Sequence, residues 1–218
     1  MNKPLTQQRI RIRFGKSGAL RFVGHLDLAT AWERILRRAR LPLEYTQGFK
    51  PRPRMQFAAA LQVGVTSESE FLDTWLLEKL DGDFPGEWIA RLQATSPSGL
   101  HIYDLYDVPI RGVALPTLVT ESEFVIMPIA GESTSQDLET RAKALMAQDS
   151  IMRTGRKKPY DLRPRLIDIT LDGDGNLIAQ VHSSEHANAR PDELLDAMGV
   201  ALHQVRVHRR HLHLRAEA

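Results

Sequence analysis

"QRIRIRFGKSGALRFVGHLDLATAWERILRRARLPLEYT", residues 8–46, decides how the chain is read. Gln8–Phe14 alternates polar and apolar residues, the period of a strand. Ile10, Ile12 and Phe14 therefore share one face, and Arg9, Arg11 and Arg13 share the other. A turn at Gly15–Gly18 follows. From Leu26 to Arg40 the period becomes helical, with Leu28, Ala29, Trp32, Ile35, Leu36 and Ala39 forming a core stripe. Arg34, Arg37 and Arg38 fall on another face of that helix. Pro42 ends the helix, and Leu43–Thr46 reads as a short strand.

Beyond this stretch, Met55–Val65 is mostly apolar and suits a buried strand. Ser69–Leu77 is a further strand with Phe71 and Trp75 on one face. Phe84–Ala94 is a second helix and Leu100–Val108 a closing strand. The order strand, helix, strand, strand, helix, strand is the ferredoxin-like arrangement. Arg111–Leu118, with Gly112 and Pro116, reads as a linker. The order then recurs: strand Thr120–Ile129, helix Ser135–Ala147, strands Leu166–Leu171 and Leu177–His182 across the turn "DGDGN", helix Asp192–Val200, and strand His203–Leu214. The expectation is an α+β protein of two ferredoxin-like units packed together, residues 1–110 and 119–218.

Charge is segregated along the chain. Residues 9–54 hold 12 Lys and Arg against 3 Asp and Glu; residues 55–149 hold 5 against 15; residues 150–165 hold 6 against 1. Such blocks create local potentials that a net charge of +2 conceals. The basic blocks are mainly arginine, whose planar fork suits phosphate. The first comprises Arg9, Arg11, Arg13, Arg34, Arg37, Arg38, Lys50, Arg52 and Arg54, with Tyr45 and Phe49 placed to stack on bases. Pro51 and Pro53 stiffen its loop. The second, "RTGRKKPYDLRPR" at 153–165, offers Lys157, Lys158, Arg163 and Arg165 around Tyr160. Cations on such surfaces grip a nucleic-acid backbone, whereas the competing reading is an ordinary solvated face.

Other chemistry is thinner. His25 and Asp27 sit at the mouth of the first helix; His25 is a candidate general acid or base, and Asp27 suits the helix N-terminus. His203, His208, His211 and His213 cluster near the C-terminus without acidic or cysteine ligands to complete a metal set. "DGDGN" lacks the glycine and the glutamate of a calcium loop, Leu177 and Ser183 standing at those places. No phosphate-loop, dinucleotide, zinc-protease or nucleophile-elbow motif is present. The chain has no cysteine, which excludes disulfides, cysteine nucleophiles and an iron–sulfur cluster of its own. No cofactor and no metal are expected. With no apolar run of membrane-spanning length and no signal-peptide pattern, the expectation is a cytoplasmic protein that meets no membrane.

The run Leu20–Asp73 resembles a bacterial family of uncharacterised radical-SAM-linked proteins. The resemblance rests on His-Leu-Asp at 25–27, "ERILRRARLPLEYTQGF", "KPRPRMQFA" and "VGVTSESEFLD", with "DLRP" at 161–164 as the best match in the second half. The family pattern usually has serine where this chain has Thr46, and often Pro-His-Pro at 51–53, where this chain has Arg52. Members occur alone or fused behind a radical SAM domain, so the resemblance implies a radical SAM partner. At the level of fold, tandem ferredoxin-like units with a glycine and a basic loop before the third strand are similar to the RAMP-type CRISPR RNA-processing endoribonucleases. That similarity places Gly48–Arg54 as an RNA-gripping loop. The expected function is RNA binding, presenting tRNA or rRNA to a radical SAM modifying enzyme rather than catalysing a reaction alone. Two alternatives stay open: a metal-independent endoribonuclease using His25, and a protein-interaction module that docks a radical SAM partner.

Overall fold

The computed structural model describes residues 5–154, 158–184 and 188–216. The chain forms two compact units, one running to Leu118 and one from Val119 to Arg215. In the first, β1 (Gln8–Lys16), α1 (His25–Arg38), β2 (Met55–Phe57), β3 (Thr66–Leu76), α2 (Gly86–Thr95) and β4 (Leu100–Val108) succeed one another. Their sheet has the order β4-β1-β3-β2, with every neighbouring pair antiparallel. A short helix α3 (Leu115–Leu118) ends the unit.

The second unit contains β5 (Val119–Pro128), α4 (Ser135–Met146), a hairpin of β6 (Met152–Thr154) and β7 (Pro159–Asp161), β8 (Leu166–Leu171), β9 (Leu177–His182), α5 (Pro191–Ala197) and β10 (Val205–Leu214). Its sheet order is β10-β5-β9-β8. Each unit thus has the last strand beside the first and the two middle strands beyond, which is the ferredoxin-like α+β topology.

The alternation in β1 has a direct result. Ile10, Ile12 and Phe14 are fully buried and join one core with Trp32, Ile35 and Leu36 of α1, Leu72 and Leu76 of β3, and Trp88 and Leu92 of α2. Phe14 meets Trp32 edge to face at 4.8 Å, the favoured aromatic geometry. The spacing of these residues fixes which side of α1 faces inward and leaves Arg34, Arg37 and Arg38 exposed.

Helix α1 stops through a left-handed residue. Arg40 has φ +60°, and the Leu41 amide reaches back to the Leu36 carbonyl at 3.2 Å. That position ordinarily takes glycine, because a Cβ crowds the carbonyl in this conformation. Arg40→Gly is expected to stabilise the protein by about 0.5–1 kcal/mol, relief of strain exceeding the added entropy of the unfolded chain. A thermal melt showing no gain would contradict this.

The other face of the first sheet differs from the sequence reading. Arg9 and Arg11 are buried, not solvated. Asp73 on β3 lies opposite Arg11 and is fully buried. Its Oδ2 accepts from Arg9 Nε and Nη2 at 3.0 and 2.5 Å, and its Oδ1 accepts from Arg11 Nε at 2.8 Å. Residues 109–115 cross this face as a strap. Arg9 donates to the carbonyls of Pro109 and Val113, Trp75 Nε1 donates to that of Ile110, and the Leu115 amide donates to Gln56. A polar row on an alternating strand looks solvent-facing until something covers it, and here the chain covers its own sheet. Arg13, half-buried, lies 5.1 Å over the Tyr103 ring.

Candidate nucleic-acid interface

Residues 44–54 form a hairpin between α1 and β2. Its ladder pairs the Arg54 amide with the Glu44 carbonyl at 2.7 Å and the Thr46 amide with the Arg52 carbonyl at 2.8 Å. Tyr45 faces Pro53 between these two bonded rungs. The proline there replaces an amide that the ladder does not use, which is where a strand tolerates proline. Gly48 at the tip has φ +137°, a conformation that side-chain-bearing residues rarely adopt. Phe49 follows with a relative exposure of 108%, a large aromatic wholly in solvent.

The root is anchored on β3. Glu44 donates its amide to the Trp75 carbonyl at 2.8 Å, Thr74 Oγ1 donates to the Arg54 carbonyl at 3.0 Å, and the Arg54 guanidinium lies 4.2 Å over the Trp75 ring. The hairpin is therefore built from a basic loop without a flexible base.

Glu33 joins the hairpin to α1. Its carboxylate lies 3.6 Å from Arg37 on the helix and 3.6 Å from Arg52 on the hairpin. Glu44 accepts from Arg54 at 3.1 Å and from Thr6 at 2.7 Å. These two carboxylates face inward, with side-chain exposures of 12% and 3%. The cations face out: Arg34, Arg37, Arg38, Lys50, Arg52 and Arg54 are all exposed. Exposed cations thus lie on both α1 and the hairpin, while Glu33 and Glu44 hold Arg37, Arg52 and Arg54 from beneath. Tyr45 is exposed on the same hairpin.

The second basic group lies in the other unit. Lys158 is exposed. Arg163 donates to the Leu166 carbonyl at 3.3 Å, and Arg165 donates to that of Asn188 at 2.8 Å while lying 4.2 Å over Tyr160. Lys157 lies outside the described residues. Asp161 closes the loop by accepting the amides of Ile151 and Arg163 at 2.7 and 2.9 Å, and these bonds hold its carboxyl below the ordinary aspartate value.

His25 stands exposed at the start of α1 with its ring 5.1 Å from Phe57, edge to face. The helix cap there is Gly24, without a side-chain capping bond. Among the described residues His25 has no carboxylate or hydroxyl partner of the kind that positions a general base. His211 and His213 lie 5.8 Å apart, and no group of three or more His, Asp or Glu among the described residues has the geometry of a metal site. No helix among them is long and apolar enough to cross a membrane.

Sequence reasoning missed Glu33, Glu44 and Trp75 as parts of this region. Glu33 alone left a signal, four residues before Arg37 on one helix. Pairing of Trp75 with Arg54 spans a hairpin root, which no local period records.

A family model with the description "Uncharacterized protein conserved in bacteria (DUF2344)" matches residues 9–191. None of the curated proteins compared with the chain matches it. Among solved structures, the crystal structure of the archaeal box H/ACA sRNP Nop10-Cbf5 complex is similar with a TM-score of 0.40 and 14% identity. The match covers 92% of this chain and 46% of that one, so the chain spans about half the length of its structural neighbour.

Proposed function

The chain belongs to that family of bacterial proteins, whose description assigns no activity, and from this premise we propose that its first unit binds single-stranded segments of RNA. The observation that carries the reading is the hairpin tip. A fully exposed Phe49 stands beside Lys50 and Arg52, on a hairpin that Glu33 ties to the exposed Arg37 of α1. An aromatic ring offers every base a stacking face, and the flanking cations neutralise phosphates on either side of it. Glu33 and Glu44 are turned inward, so an approaching polyanion meets the cations first. The bound RNA is a tRNA or rRNA held for a modifying enzyme. Following the resemblance of Leu20–Asp73, that enzyme is a radical SAM protein acting in the same compartment.

Phe49→Ala tests the reading most sharply. The ring touches solvent alone, so the thermal midpoint stays put. Affinity for a single-stranded RNA is expected to fall roughly tenfold, the value of one base stack. The slope of log affinity against log salt stays unchanged, because no charge is removed. Equal affinities for wild type and variant would remove stacking from the proposal.

A further inference from the structure

A cleft of about 500 Å³ opens at the foot of the hairpin, within the first unit. Its size falls in the range of small-ligand sites. Thr6, Arg9, Arg54, Gln56, Trp75 and Arg111 line it, and no carboxylate is among its lining residues. The lining is rich in donors and poor in acceptors, which selects for an anion.

The donors are not equivalent. Arg9 is committed to Asp73 and to two backbone carbonyls of the strap. Arg54 gives one nitrogen to Glu44 at 3.1 Å and rests its plane on Trp75, leaving a side chain 44% exposed. Stacking holds the guanidinium fork in place without consuming its other donors. Arg111 is exposed and makes no hydrogen bond or ion pair among the described residues. The Gln56 carbonyl accepts the Leu115 amide at 2.9 Å, which leaves its NH2 as the unused end. Two forks and an amide donor around one cleft offer more donors than the two unesterified oxygens of a diester can use, and a phosphate monoester presents three.

We propose that this cleft binds a phosphate monoester, supplied by the phosphorylated end of an RNA strand or by free nucleotide, with Arg54 and Arg111 gripping its oxygens. The strand-end source rests on the RNA reading above, because Arg54 also closes the hairpin that carries Phe49. The cleft itself does not depend on that reading.

The test uses the full chain, three RNA oligomers of one sequence and adenosine monophosphate. The oligomers carry a 5′-phosphate, a 3′-phosphate or hydroxyls at both ends. Wild type is expected to prefer one phosphorylated strand over the hydroxyl-ended strand about tenfold, near the worth of one charge-assisted contact. In Arg111→Gln that ratio collapses towards one, with an unchanged thermal melt as the folding control. Equal affinities for the three strands, together with nucleotide binding that Arg111→Gln abolishes, make free nucleotide the source. Nucleotide binding lost in Arg111→Gln, in a protein that binds no RNA, upholds the cleft and removes the RNA reading. A preference or nucleotide affinity that survives Arg111→Gln overturns the proposal. So does a wild type that neither distinguishes the strands nor binds the nucleotide.

Discussion

Asp73→Ala is expected to destabilise the first unit by about 3–5 kcal/mol, the cost of leaving buried charge without its partner. Asp73 is fully buried and receives both Arg9 and Arg11, so its removal takes the shared carboxylate from two guanidiniums on a covered sheet face. Arg9 also holds the Pro109 and Val113 carbonyls, so the strap loses its anchor when that guanidinium moves. All three tryptophans of the chain, Trp32, Trp75 and Trp88, lie in this unit, which makes tryptophan fluorescence in a urea titration its specific reporter. A loss below 1 kcal/mol would mean that the pair is not stabilising where it lies. For scale, a whole domain is stable by only about 5–15 kcal/mol, so the expected loss is a large share.

The second large effect concerns binding. Reversing Arg37, Lys50 and Arg52 together to glutamate is expected to weaken RNA affinity by about a hundredfold or more at moderate salt. The salt slope should fall by about 2, since each phosphate of a single strand that is no longer neutralised takes away close to 0.7. Arg37 and Arg52 each face Glu33 at 3.6 Å, so the reversal sets like charges there and costs some stability, and a thermal melt checks that the variant is folded at the assay temperature. Arg54 is left out of the set, since its stacking on Trp75 and its bond to Glu44 serve the hairpin root. The two kinds of variant differ in signature: removing the Phe49 ring lowers affinity at constant slope, and reversing charge lowers both. Affinity within threefold of wild type in the triple variant would end the polyanion reading of this surface.

Much of the fold is legible in the sequence because its signals are local. The alternation of Gln8–Phe14 and the helical stripe of α1 each depend on residues a few places apart, and "DGDGN" marks its own hairpin. β4, β8 and β9 end where the sequence pattern places them. The stretch after β2 misleads. Met55–Val65 looks like one buried strand, yet the strand is only Met55–Phe57, and the rest turns through Gly64 at φ +90°. Its alanines supply little of the side-chain packing that favours a strand. The candidate interface is legible in part. Residue types in the 44–54 loop give the basic, aromatic and stiff character, but the face of β1 is not readable at all. Alternation says that a strand has two faces, and nothing local says that a segment a hundred residues later will lie on one of them.

That strap also moves the seam of the molecule. The first unit does not end where its last strand ends at Val108, because Arg9, Trp75 and Gln56 all take partners from residues 109–115. A chimera joined at residue 108 would transplant a sheet stripped of its lid and expose a charged row evolved for the interior. For grafting or exchange between relatives, the portable module is the six-element unit together with its trailing segment through Leu118.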